Sequence, residues 1–319
     1  MSPILAILLA ALVVLPGGAA RAAEPLTLPL SLPEGQWRPL RQVQDRALEG
    51  KLERVLKQNG LWRSLIDRGE MSVGLVDLAD PRAPRFAQVN GDTMLPAASL
   101  PKIAILLAAY HSFADGGLKE TLPIRADLID MIKWSSNPAA NRMIDRIGLR
   151  KIDNLLLSSR YRFYDPKQGG GIWVGGGYPP SYEQYPDPLK DIIHTATATQ
   201  VCRFYYLLAY GRLINPEPSR QMLKILSYPL LQDKFVSVLE TSVPPNRLYR
   251  KSGTFKIWHS DSVLVWGEEP WRRYILVSLV QNAQGEQILR ELVPKMEQLL
   301  KGAYRSPDQA APRQKGAQP

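Results

Sequence analysis

Cysteine is almost missing from this 319-residue chain: Cys202 is the only one. No internal disulfide can form, and no cysteine cluster can hold a metal. Cys202 stands in the apolar run VCRFYYLL and reads as buried filler, not as a reactive thiol. Histidine is scarce as well. His111, His194 and His259 show no metal-ligand spacing, so no metal is expected. His259-Ser260-Asp261 holds the residue types of a triad, but contiguous residues cannot meet as a triad does. A Gly-x-Ser-x-Gly elbow is absent, and the Gly triplets at 169–171 and 175–177 do not follow a strand as a phosphate loop would. No cofactor is expected, and no internal repeat is present.

Two further absences bound the partners. No stretch interleaves Lys and Arg with aromatics as a nucleic-acid groove does, so no nucleic acid is expected. The net charge of +10, from 40 Lys+Arg against 30 Asp+Glu, favours anionic partners such as nucleic acid, an acidic membrane face or small carboxylates, but reads more simply as a solvated basic surface. No apolar run is long enough to cross a bilayer comfortably. Residues 4–15 are nearly all apolar, a length that suits a secretory leader. Ala20-Arg21-Ala22 fits the small-x-small cleavage pattern. A signal peptide over residues 1–23 and a secreted or periplasmic location follow. The n-region offers only the amino terminus as positive charge, so an uncleaved leader is the competing reading and the only membrane contact expected.

Apolar residues make up 45% of the chain and charged residues 22%, enough for a sizeable core. Residues 24–40, rich in Pro and Leu, read as an extended lead-in. Residues 41–59 carry a helical stripe of Val43, Leu48, Leu52, Val55 and Leu56, with Gly60 closing the helix. MSVGLVDL at 71–78 reads as a strand, and residues 85–89 as a second. Ser99 opens a helix whose segment 103–110 is apolar on nearly all faces and therefore buried. Further helical patterns cover 128–134, 137–148, 151–157, 199–213 and 219–231. Residues 158–191 form a long loop, of the kind that is usually functional or mobile. Strands at 262–266 and 274–281 and a helix over 285–300 close the domain. Residues 303–319 read as a disordered tail. Strands at both ends with helices between them predict an α+β fold: an antiparallel sheet built from both chain ends, flanked by helices, with an inserted all-α lobe.

Three short patterns carry chemistry. In Ser99-Leu100-Pro101-Lys102, helical spacing places the lysine beside the serine, and a desolvated lysine can act as base for a serine nucleophile. In Ser135-Ser136-Asn137, Ser135 can relay a proton and the Asn137 amide can bind substrate or steady Lys102. In Lys251-Ser252-Gly253-Thr254, before a strand-rich segment, Lys251 and Ser252 suit a substrate carboxylate. Gly253 leaves room for the substrate backbone, and Thr254 offers its N–H. Each alone is matched by an ordinary cap or turn. Their order and contexts together are not.

The trio resembles the class A β-lactamase-like, penicillin-binding serine hydrolases, over roughly residues 41–302. SSNPAANRMIDRIG, HTATAT at 194–199 and HSDSVLV after KSGT are similar to that family's surrounding segments. The resemblance implies the β-lactamase/transpeptidase-like fold and a small-molecule β-lactam or peptidoglycan peptide as substrate. It implies Ser99 as acylated nucleophile, Lys102 as its base partner, and Ser135 and Asn137 shaping the site. Lys251, Ser252 and Thr254 would hold the carboxylate, and the N–H groups of Ser99 and Thr254 would form the oxyanion hole. Three departures stand out. Ser136 occupies the place of the usual Asp, the interval from Ser99 to Ser135 is short, and the loop lacks the Glu-x-x-Leu-Asn pattern that positions deacylating water. Asp187, Glu183 and Asp165 are the substitutes. Without a positioned base the acyl-enzyme forms but hydrolyses slowly, as in a penicillin-binding D-Ala peptidase. A non-catalytic cell-wall-binding homologue and an esterase or amidase for another substrate are the alternatives.

Overall fold

The computed structural model describes residues 27–33, 35–178 and 184–304. The expected leader, most of the expected tail and Glu183 lie outside the described residues. The rest is an α+β fold. Five antiparallel strands, β1 (Met71–Asp77), β2 (Arg85–Val89), β3 (Leu248–Phe255), β4 (Trp258–Trp266) and β5 (Arg273–Gln281), form one sheet in the order β2-β1-β5-β4-β3. Both chain ends thus supply strands, and β3, which bears the Lys-Ser-Gly-Thr segment, is an edge.

Period-two burial splits the core. Along β5, Tyr274, Leu276 and Val280 pack with α1 (Arg46–Lys57), α2 (Gly60–Asp67) and α10 (Gly285–Ala303) on one face. Ile275, Val277 and Leu279 pack on the other, against the helical lobe. That lobe holds α3 (Lys102–Ala114), α4 (Leu122–Lys133), α5 (Asn137–Ile147), α6 (Leu149–Leu157), α7 (Ala198–Ala209) and α8 (Pro216–Leu226). The run from Lys102 to Tyr110 is buried throughout, as all-round apolarity requires. Short α9 (Lys234–Leu239) returns the chain to β3.

Several expected boundaries move for local reasons. Gly60 does not end a helix. The Asn59 side chain accepts from Leu61 N at 3.0 Å and Trp62 N at 3.2 Å, so it caps a second helix that starts at Gly60. Ser99 lies in a turn rather than inside α3, which begins at Lys102 with Pro101 before it. The lead-in docks on the domain: Leu30 is buried and its N–H donates to Ala209 O at 2.6 Å. Residues 158–191 are largely irregular, with one short ladder pairing Tyr164–Asp165 with Gly170–Gly171.

Candidate active site

Ser99 sits where the lobe meets the sheet edge. Ala98, just before it, has φ +50°, a left-handed conformation that an alanine adopts only when its surroundings impose it. Ser135, His194 and Lys234 share that region at φ +56°, +52° and +50°. Ala98 and His194 line the cleft beside Ser99.

Lys102, fully buried, is its centre. Its Nζ lies 3.0 Å from Ser99 Oγ, 2.7 Å from Ser135 O, 2.7 Å from Asn137 Oδ1 and 3.4 Å from Ser135 Oγ. Burial pushes the Lys102 pKa down to about 7. A neutral amine has two N–H groups and one lone pair. The Ser135 carbonyl and the Asn137 amide oxygen can only accept, so they take the two N–H groups. The lone pair is left for the Ser99 hydroxyl, which then donates to Nζ. The arrangement can therefore remove a proton from Ser99.

The third pattern joins from β3. Lys251 Nζ donates to Ser135 Oγ at 3.0 Å and to Ser252 O at 2.6 Å. Burial, and after it the charge of Lys102, pushes Lys251 well below the usual lysine range. Ser99, Lys102, Ser135, Asn137 and Lys251 thus converge despite separations of up to 116 residues between bonded partners. Thr254 is exposed toward the same cleft and lines it with Ser99 and Asn137.

A sequence profile of the Beta-lactamase enzyme family matches residues 119–301, more than half of the chain. The chain belongs to the beta-lactamase enzyme family. It is a serine hydrolase of the acyl-enzyme type. Ser135, Asn137 and the Lys251–Thr254 segment fall inside the matched residues, while Ser99 and Lys102 precede them. Among solved structures, that of PBP-A superposes with a TM-score of 0.59 at 18% identity, covering 83% of this chain and 98% of that one. A point mutant of PBP-A, an acyl-enzyme complex with penicillin G, gives 0.59 at 18% identity, covering 84% and 98%. A β-lactamase from Sphaerobacter thermophilus DSM 20745 gives 0.56 at 16% identity, covering 76% and 95%. These likenesses establish the fold. No curated protein sequence matches the chain.

Among the described residues lining the cleft there is no Asp or Glu. Asp187 does not face it. Its carboxylate is buried inside the loop, where it accepts from Tyr164 Oη at 2.7 Å, Leu189 N at 2.9 Å and Ile192 N at 3.1 Å. Asp165 caps a short turn through Lys167 N at 3.0 Å. Asp153 is buried beneath the loop, 3.3 Å from Val174 N and Gly175 N, and desolvation pushes its pKa up to about 7. What stands against Lys102 is Tyr178, whose ring centroid is 4.5 Å from Nζ. Asn141 fixes Tyr178 by exchanging both backbone hydrogen bonds with it. His194 stacks on its ring at 3.9 Å, with Nε2 against Gly176 O at 3.0 Å.

Sequence reasoning also missed Lys234. It is fully buried, and its Nζ donates to Gly253 O at 2.6 Å, Thr254 Oγ1 at 2.7 Å and Ser260 O at 3.2 Å. A second ammonium thus underlies the Thr254 hydroxyl. Lys234 belongs to no motif, and nothing near it in sequence signals the contact.

Gly253 stands at a close backbone approach. A Cβ there would collide with Ala97 O and lie 2.6 Å from Ser99 N. The glycine lets β3 press against the backbone of the Ser99 turn. Gly253→Ala should push the strand off that turn and slow β-lactam labelling of Ser99 by about 10²-fold, the usual cost of misplacing reacting groups by an ångström. Stopped-time mass spectrometry beside a thermal melt measures it, and unchanged labelling would refute the close-approach role.

Proposed function

We propose that the protein is exported to the periplasm or cell exterior and that β-lactams or related D-Ala-terminated peptides acylate it at Ser99, leaving a long-lived acyl-enzyme. The carrying observation is Lys102 Nζ 3.0 Å from Ser99 Oγ, with two groups that can only accept, Ser135 O and Asn137 Oδ1, each at 2.7 Å, so that the neutral amine has its lone pair for the hydroxyl. Ser99 Oγ adds to the substrate carbonyl as its proton passes to Lys102 Nζ. The N–H groups of Ser99 and Thr254 stabilise the oxyanion, by about 3–4 kcal/mol each. The C–N bond then breaks, and the nitrogen takes its proton through Ser135, which stands between Lys102 and Lys251. Lys251 and the Thr254 hydroxyl, which Lys234 backs from beneath, meet the substrate carboxylate. Ser252 supports this group from the same strand.

Hydrolysis of the ester needs a base beside the attacking water. The described cleft has Tyr178 in the neighbourhood of Lys102 and no carboxylate. This supports slow deacylation, hence a penicillin-binding peptidase-like enzyme in preference to an efficient β-lactamase. The penicillin G acyl-enzyme of the PBP-A mutant supports penicillin as a probe.

Intact mass after mixing with penicillin G, followed over time, tests the reading. We expect one adduct on the wild type that outlasts many minutes, and none on Ser99→Ala. A folded wild type that never gains the adduct overturns acylation at Ser99. An adduct that forms and vanishes within seconds, with penicilloate released, overturns slow deacylation.

A further inference from the structure

We infer that Asp153, on α6, is a positioning residue: through the backbone of Val174 and Gly175 it holds the Tyr178 ring over Lys102 and keeps water from that amine. The inference rests on the acylation reading above, in which Lys102 is the base, and adds a residue that tunes it.

The chain from Trp173 to Tyr178 carries Gly175, Gly176 and Gly177 in a row. Three glycines bring no side chains to pack and the widest choice of backbone angles, so this span does not hold its own shape. It is fixed from outside. Trp173 exchanges both backbone hydrogen bonds with Thr195, at 3.0 Å each. Asp153 Oδ1 then accepts from Val174 N and Gly175 N, at 3.3 Å each, where Gly175 turns the chain at φ +63°. At the far end Asn141 grips the backbone of Tyr178. Between these anchors the ring is set 4.5 Å from Lys102 Nζ.

Asp153 is 3% exposed, and its Oδ2, like Tyr178 Oη, is buried with no hydrogen-bond partner among the described residues. A buried carboxyl with an idle oxygen costs the fold. An apolar side chain on this face of α6 would avoid that cost and leave two loop N–H groups bare. What the carboxyl adds is the course of the loop. Desolvation raises Asp153 to about 7 against the pull of the two N–H groups. Its charge acts on Tyr178, while Arg150, three residues before it on α6, lies over the Tyr185 ring at 4.0 Å. Around Lys102 stand Ser99, Ser135, Asn137 and Tyr178, and its charge acts on Lys251 from β3 and on His194. None of these brings a negative charge, so burial sets Lys102 near 7. Tyr178 is the part of that cover carried by the glycine span. With the span untied, water reaches the amine, and the Lys102 pKa climbs back toward the usual lysine range.

NMR titration of lysines labelled with carbon-13 at Cε, assigned with Lys102→Met, reads this directly. Wild-type Lys102 should titrate near pH 7. Asp153→Leu and Asp153→Ala offer no acceptor and should raise the midpoint by about one pH unit. Tyr178→Ala should do the same, and adding Asp153→Leu to it should move the midpoint little further. Asp153→Asn keeps an acceptor oxygen without a titration of its own and should restore the wild-type midpoint. Acylation by penicillin G should fall about tenfold at pH 6 in the two variants without an acceptor and hold its wild-type rate at pH 9. Damage to packing would lower it at both. A Lys102 midpoint unmoved in folded Asp153→Leu and Asp153→Ala overturns the inference, and so does a loss of rate equal at both pH values. A midpoint that shifts in a protein penicillin G never labels upholds the role of Asp153 and overturns the acylation reading instead.

Discussion

Lys102→Met should lower the rate constant for β-lactam acylation of Ser99 by about 10³-fold, within the range a positioned general base contributes. Methionine keeps the length of the side chain and removes the lone pair. Lys102→Arg should not restore the rate, because a guanidinium keeps its proton. The pH profile separates loss of the base from damage to the site. With the Lys102 pKa pushed to about 7 by burial, the reactive neutral amine grows with pH. Wild-type acylation should rise about tenfold per pH unit below 7 and level off above it. The residual rate of Lys102→Met should show no such limb. Stability should move the other way. A lysine whose folded pKa is depressed costs the fold most at low pH, and the cost fades as pH climbs from about 7 toward 10.5. The shift corresponds to roughly 5 kcal/mol before the lost hydrogen bonds are deducted. Lys102→Met should therefore melt several degrees higher than wild type at pH 6, with a smaller gain at pH 9. A melt unchanged at both values would mean that Lys102 is not desolvated.

The residues that made this site legible were those whose spacing is itself the geometry. Ser99 and Lys102 are three apart at a helix start, and the lysine side chain reaches back to the serine wherever that start is built. Ser135, Asn137 and Lys251 were legible only as a set, because nothing local says that a loop and a sheet edge meet at Lys102. Tyr178 and Lys234 were not legible at all. Tyr178 lies in a Gly- and Pro-rich loop without periodicity, and its contact depends on Asn141 from α5. Lys234 reaches β3 only because α9 docks there, and a six-residue helix leaves too short a pattern to read. The close approach of Gly253 to the Ser99 turn was not legible for the same reason: which side of a strand meets backbone is settled by docking. In the fold, the period-two strands and the all-apolar α3 could be read directly. At Gly60 two local signals competed, and the Asn59 cap prevailed over glycine as a helix terminator.

Asp261→Asn should cost about 3–5 kcal/mol of stability, the usual penalty for stranding a buried charge. Asp261 is fully buried on β4, and both its oxygens accept from Arg250, at 2.8 Å each. Burial works against the Arg250 charge, and the Asp261 and Asp233 carboxylates hold it in place. Arg250 directly precedes Lys251, and it also donates to Leu231 O at 2.6 Å, which anchors the segment leading to Lys234. Asp261 therefore serves the cleft from behind. Its charge opposes the loss of the proton from both Lys251 and Lys234, against the desolvation that dominates each. Removing that charge lowers both pKa values further, so fewer molecules carry the ammonium groups that receive a carboxylate. In the folded variant, acylation should begin to decline at a lower pH than in wild type, while the rising limb set by Lys102 stays in place. Denaturant unfolding and the pH dependence of labelling measure the two effects separately. A variant that loses stability while keeping the wild-type alkaline limb would reduce Asp261 to a structural group.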